Sequence, residues 1–223
     1  LLVDLHRPGV RQGPGGETET RRAIQLAGLD PSHPLKIADI GCGTGAAALV
    51  LAQDLNAHIT AVDLFPAFLE ELRKRAQQRG VAQKISTLAG SMEALPFAVE
   101  EYDVLWSEGA VYNMGFEAGV AAWGRFLKPG GMLVVSEITW LTATRPPELQ
   151  CYWDGEYPEI DVASNKFSIL ERHGYCPEGY FVLPAHCWLD NYYLPIESRL
   201  ADFLVRHGQT AEARAMVEAE RQE

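Results

Sequence analysis

Three glycines at alternate positions, Gly41, Gly43 and Gly45, follow the apolar run LKIADI and precede the apolar helical pattern AAALVLA. Glycines so placed let a backbone turn tightly and bring its amides close to a ligand. The helix that follows points its N-terminal dipole at whatever anionic group sits there. Asp63 stands 22 residues past Gly41, at the end of HITAVD, where a carboxylate can accept hydrogen bonds from ribose hydroxyls. Gly41, Gly43 and Ala46 also satisfy G-x-G-x-x-G/A, so glycines and acid alone fit a dinucleotide as well as another adenosine-bearing cofactor.

Three further features separate those alternatives. Asp39, in ADIGCGTG, precedes the loop; an acid there suits loop amides or a cationic amino group and disfavours a pyrophosphate. GSMEALPF (90–97) ends a third strand with Ser91 and Met92, a polar turn residue and an apolar neighbour able to bracket an adenine. FLKPGGMLVVSE introduces a fifth strand through a helix stop and a tight turn. In this order and at these separations, over roughly residues 15 to 190, the motifs resemble class I S-adenosylmethionine-dependent methyltransferases. Within them the chain is similar to a bacterial, small-molecule-type group of unassigned substrate, marked by RQGPG, WSEGAVYNMGF and YPEID. The resemblance implies S-adenosylmethionine as cofactor and S-adenosylhomocysteine as product. It places the cofactor against Asp39, Gly41, Cys42, Gly43, Asp63, Leu64, Ser91, Met92, Ser107 and Gly16, with RQGPGG folding over its methionine end. Cys42 itself reads as a structural residue of the loop.

Methyl transfer is an in-line displacement at a sulfonium, so the protein supplies orientation, exclusion of water and sometimes a base. Ligands of open α/β sheets sit beyond the carboxyl ends of the strands. WSEGAVYNMG (106–115) is the richest segment there: Glu108, Tyr112 and Asn113 are costly to bury without partners. Glu108 and Tyr112 are catalytic candidates, with His186 of PAHCWLDNYY as a third, and Asn113, Trp140, Trp188 and Tyr192 are candidates for the acceptor pocket. Each has a plainer alternative: Glu108 as a helix cap, Tyr112 and Trp140 as packing, His186 as a satisfied surface histidine. TRPPELQ follows the fifth strand, not the fourth, and so differs from the N/D-P-P-Y motif of amino-group methylases.

The elements needed to hold these residues follow from periodicity. Helices are expected over 16–29, 45–55, 66–80 (Pro66 in its first turn, Gly80 after its end), 116–127, 161–175, 195–208 and 211–223. Strands are expected over 35–41, 58–64, 84–90, 102–108 and 132–138, with a sixth at 179–188. The first sixteen residues, rich in Gly and Pro, read as an irregular arm, and 140–160 as loose chain. Strands alternating with helices predict an α/β, Rossmann-like sheet covered on both faces. The expected organisation is one domain over 1–223, with 1–16 as arm and 140–160 plus 186–223 as lid. The fold's last antiparallel strand is missing before Glu223, which predicts a natural chain longer by on the order of 20–30 residues.

Composition narrows the partners. The 223 residues are 47% hydrophobic and carry a net charge of -11. An acidic chain without a basic run repels nucleic-acid phosphates, which excludes RNA and DNA as expected substrates. No stretch is apolar enough for a membrane span, and LLVDLHRPGVRQGPGG has no secretory pattern. Cys42, Cys151, Cys176 and Cys187 show no CxxC spacing, so neither a disulfide framework nor a metal site is expected and a reducing cytoplasm fits. The sequence therefore predicts a methyltransferase acting on a small polar or aromatic metabolite. A cofactor-binding sensor without turnover and, less favoured, a nicotinamide-dependent oxidoreductase are the rivals. Oligomeric state is not legible.

Overall fold

The computed structural model describes residues 1–222. Five strands, β1 (Leu35–Ile40), β2 (Ala57–Asp63), β3 (Ile85–Ala89), β4 (Tyr102–Glu108) and β5 (Leu127–Ser136), form one sheet in the order β3-β2-β1-β4-β5. Every pairing is parallel. The near-continuous apolar runs of β1, β2 and β4 are what a sheet covered on both faces requires. Between Tyr102 and Val104 the β4–β5 register shifts, and the Lys128–Gly131 turn forms an interruption within β5.

On one face α2 (Glu17–Leu26), α3 (Ala46–Asp54) and α4 (Pro66–Gln78) bury Ile37, Ile59, Val104 and Trp106 against Leu49, Leu69 and Leu72. On the other, α5 (Phe116–Trp123) covers Ala38, Ile40 and Leu105 with Phe116, Val120 and Trp123, and α7 (Ala163–Arg172) adds Ile169 and Leu170. Side chains alternate along a strand. Asp39, Asp63 and Glu108 therefore continue the parity of Ile37, Ile59 and Val104 and stand on the α2–α4 face. They stand at or next to the ends of three strands that the register brings side by side.

Three expectations are corrected. The arm opens with a short helix, α1 (Leu2–His6), whose Leu5 packs with Ile196, Leu200 and Phe203 of α9 (Leu194–Arg206) and Val217 of α10 (Ala211–Gln222). Polar clamps hold it there: His6 to Glu220 at 2.8 Å, and Asp4 to Arg206 at 3.0 Å and His207 at 2.8 Å. The segment 140–160 contains α6 (Pro147–Glu156), started by Pro147 with its fixed φ. Beside it two very short parallel strands pair, β6 (Thr139–Trp140) with β7 (Asp161–Val162). Finally, the sixth strand is absent: residues 175–184 are open chain leading into α8 (Ala185–Trp188) and a π-helical turn, Leu189–Tyr193. A strand exists only by pairing its backbone groups. Among the described residues nothing pairs with the free edge of β5, and Tyr180 and Val182 remain exposed.

Candidate functional site

The glycine loop sits where β1 hands over to α3. Gly41 takes φ +74 and Gly43 φ +55, left-handed values that favour glycine. A Cβ on Gly41 would lie 2.3 Å from the Ala110 methyl, and one on Gly43 2.3 Å from Gln12 Oε1. The loop is therefore closely approached from both sides, by the turn after β4 and by the N-terminal arm. Cys42 is buried, with its Sγ 3.6 Å from the Gly43 carbonyl oxygen, as a structural loop residue should be.

Beneath the loop, Asp39 is almost wholly buried and its Oδ2 has no hydrogen-bond partner. Burial, with repulsion from Glu108 added, raises its pKa to about 8. A buried carboxylate short of partners is costly and is relieved by a cation. At the end of β2, Asp63 accepts from the Gly43 amide at 2.8 Å and the Phe65 amide at 2.9 Å. Burial raises its pKa, and these amides oppose the shift. Each carboxylate oxygen keeps a further lone pair for a ligand. Next to it Leu64 is 61% exposed, an apolar surface beside the carboxylate. Met92 is half-buried, with its Cε 3.4 Å from where a Gly41 Cβ would stand, and Ser91 Oγ caps the turn by accepting from the Glu93 amide at 3.2 Å. Ser107 is fully buried and donates to the Ile40 carbonyl at 2.9 Å, tying β4 to β1. Gly16 is the residue before α2, and its carbonyl accepts from the Thr20 hydroxyl at 3.1 Å.

The arm roofs this loop. Gln12 Oε1 accepts from the Thr44 amide at 2.8 Å and hydroxyl at 3.1 Å. Arg75 reaches back to the Gly9 and Val10 carbonyls at 2.9 and 3.1 Å. Glu108 is the anchor point for three elements. Its Oε1 accepts from Thr20 Oγ1 at 2.8 Å and Trp106 Nε1 at 3.0 Å, and its Oε2 pairs with the Arg11 guanidinium. Arg11 and Gln12 escaped sequence reasoning as individual residues; RQGPG gave only the location of the arm.

Two cavities meet at this anchor. A small one of about 50 Å³ is enclosed by Arg11–Gly13, Asp39, the glycine loop, Glu108 and Gly109. A cleft of about 1440 Å³ shares Gln12, Gly13, Glu108 and Gly109 with it and runs along the free edge of β5. Of the acceptor-pocket candidates, Trp140, Trp188 and Tyr192 line this cleft, and so do the catalytic candidates Glu108 and Tyr112, whereas His186 does not. Asn113 does not; its side chain bonds the Ala110 carbonyl at 2.9 Å. Tyr112 is 46% exposed and meets the Tyr157 ring edge-on at 6.0 Å. Trp140 Nε1 is buried without a partner, and the Arg145 guanidinium lies 4.5 Å over its ring. His186 is half-exposed and sits 3.3 Å from Glu19.

One group in the cleft had no signal in the sequence. Lys166 is buried and donates to Glu137 Oε1 at 2.7 Å and to the Glu159 carbonyl at 2.8 Å, while the Tyr157 hydroxyl donates to the same Glu137 oxygen at 2.6 Å. Glu137 Oε2 has no partner. Burial raises the Glu137 pKa against the opposing pull of Lys166, and burial beside Glu137 raises that of Tyr157.

Comparison with known proteins agrees with this geometry. Residues 37–131, from β1 into β5, match a methyltransferase domain. An uncharacterized methyltransferase, YodH of Bacillus subtilis, is 34% identical over 134 residues, 60% of this chain and 55% of that one. The chain thus spans about half the length of that curated relative. The X-ray structure of YjhP from E. coli superposes with a TM-score of 0.86 at 19% identity, covering 99% of this chain and 91% of that one. A Geobacter sulfurreducens S-adenosylmethionine-dependent methyltransferase, solved with S-adenosylhomocysteine, gives a TM-score of 0.81 at 19% identity, covering 99% and 88%. In its methyltransferase-domain match over residues 37–131 and in the order of its sheet, the chain is similar to S-adenosylmethionine-dependent methyltransferases.

Proposed function

We propose that this protein transfers the methyl group of S-adenosylmethionine to a small polar or aromatic metabolite in the cytoplasm. The carrying observation is the junction of the two cavities. A glycine cradle over the buried Asp39, whose Oδ2 has no hydrogen-bond partner, opens through Glu108 and Gly109 onto an aromatic-lined cleft. Residues and cofactor fit: the cofactor's methionine end carries an ammonium and a sulfonium, and a cation beside the buried Asp39 would draw its carboxyl into the ionised form. Asp63 and the exposed Leu64 suit a ribose and an adenine edge, with Met92 nearby. When bound, the cofactor supplies the electrophilic methyl.

The chain's own residues supply placement. Arg11–Gly13 line the cradle and would shield it from water. Glu108, at the boundary, would hold a cationic substrate group or take its proton, at the cost of its present bond to Thr20 or Arg11. Tyr112, Trp140, Trp188 and Tyr192 would wall the acceptor. The whole chain would act as one unit, with the arm, 140–160 and 186–222 as its lid. No helix of the described residues is long and apolar enough to cross a membrane.

The test is incubation with methyl-labelled S-adenosylmethionine and a small-molecule extract, read by mass spectrometry. A labelled product establishes the transfer and names the acceptor class. Tight binding of S-adenosylhomocysteine with no labelled product from any extract overturns it in favour of a cofactor sensor.

A further inference from the structure

Beyond the methyltransferase reading, the fold gathers a mixed donor set that lies far apart in the sequence. Glu19, in the first turn of α2, meets His186 and Cys187 of α8, and one carboxylate oxygen, one imidazole nitrogen and the thiol sulfur all lie within 4.8 Å of one another. Glu19 Oε1 is 3.3 Å from His186 Nε2. Its other oxygen, Oε2, is buried and has no hydrogen-bond partner, although the Glu19 side chain is only 9% exposed. Cys187 is wholly buried, while His186 is half-exposed and free to adjust.

An ion pair with one histidine explains Oε1 and leaves Oε2 desolvated without a hydrogen bond in return. A cation at the centre would satisfy both. The donor set chooses among cations. Calcium and magnesium take oxygen ligands, whereas one thiolate, one imidazole and one carboxylate suit a borderline-soft ion such as zinc. Around a tetrahedral zinc, donor atoms stand about 3.5 Å apart, a spacing that small movements of His186 and Glu19 reach.

We propose that Glu19, His186 and Cys187 form a three-ligand site for a zinc-like divalent cation. Glu19 lines the large cleft, as do Ala185 and Trp188 beside the other two ligands, and water or a substrate atom would complete the four-coordinate shell. The site is also a staple. The Gly15 amide donates to the Cys187 carbonyl at 3.3 Å and Asn191 Nδ2 to the Gly15 carbonyl at 2.7 Å, so a metal there fixes the arm and α2 to the C-terminal cap.

Cobalt(II) is the probe, titrated into the metal-free full chain carrying Cys151→Ser and Cys176→Ser, which removes the two exposed thiols. The expected result is one equivalent bound, with intense visible bands of tetrahedral cobalt and a near-ultraviolet thiolate charge-transfer band, both erased by zinc. Cys187→Ser removes the charge-transfer band. His186→Ala, a surface change that leaves the fold intact by circular dichroism, weakens binding at least tenfold. Absence of stoichiometric binding, or bands that persist in Cys187→Ser, overturns the proposal. Neither outcome depends on methyl transfer.

Discussion

Asp39 illustrates a residue kept at a cost to the fold. Its pKa is raised to about 8 by burial, above the 3.8 of a free carboxyl, so the folded chain holds a proton there that the unfolded chain has released. Stability from this group is full below pH 4 and is lost as pH rises towards 8. Asp39→Asn is therefore expected to unfold at higher denaturant concentration at pH 8, by about 1–3 kcal/mol, with the gain vanishing near pH 4. The same substitution should weaken S-adenosylhomocysteine binding, because an amide cannot ionise beside the ligand's ammonium; urea unfolding reads the first effect and isothermal titration calorimetry the second. Asp63 calls for a different expectation. It holds the Gly43 and Phe65 amides as well as any ribose, so Asp63→Ala should cost on the order of 1–3 kcal/mol of cofactor affinity. An unchanged affinity would remove it from the site. Both acids were legible in the sequence as types at spacings. The unpaired oxygen of Asp39 was not, because it depends on what fails to reach it.

Among the elements, the arm behaves as a strap held at defined points. Arg11 pairs with Glu108 and Gln12 spans to Thr44. Arg11→Ala should speed amide hydrogen exchange across residues 9–16 while leaving β1 and β4 protected; uniform protection would show that the strap is held elsewhere. Glu108→Gln should lower turnover more than S-adenosylhomocysteine affinity, and equal losses would make Glu108 purely a fastener of the strap. The Glu137–Lys166 pair ties the end of β5 to α7. Lys166→Met leaves Glu137 buried without its cation and should cost about 3–5 kcal/mol in urea unfolding, most of it restored in a Lys166→Met, Glu137→Leu double variant. Sequence reading of elements did well where apolar runs or helical periods were long, as in β1, β2, β4, α4 and α9. It failed at 179–188, where YFVL has strand-forming residues but finds no strand to pair with, and at 147–156, where two prolines hid a helix start.

For the molecule as a whole, ligand linkage gives the sharpest discrimination between cofactors. A ligand that binds only the folded state at a hundred times its Kd adds about 2.7 kcal/mol of stability. S-adenosylhomocysteine should raise the melting temperature accordingly and NADH should leave it unchanged; the reverse would restore the dinucleotide alternative that G-x-G-x-x-A alone allows. The two ends of the chain also meet at this scale. α1 is built into the α9–α10 cap, so deleting residues 1–8 should expose Phe203 and Leu200 and lower the melting temperature, although the deletion lies away from the cradle.

The sequence by itself determined the alternation of strands and helices, the glycine cradle, and the acids at or next to the ends of β1, β2 and β4. These are local properties: a strand's parity and a glycine's φ are set within a few residues. Only the tertiary structure decided which of these groups share a site. Parallel register put Asp39, Asp63 and Glu108 on one face. The folded chain paired Arg11 with Glu108 and set Glu19 against His186 and Cys187. The open edge of β5 became a cleft with a buried Glu137–Lys166 pair on its wall. Such pairings join residues far apart along the chain, and no local pattern encodes them, because they exist only once the apolar faces have been buried and the polar groups left inside must find one another.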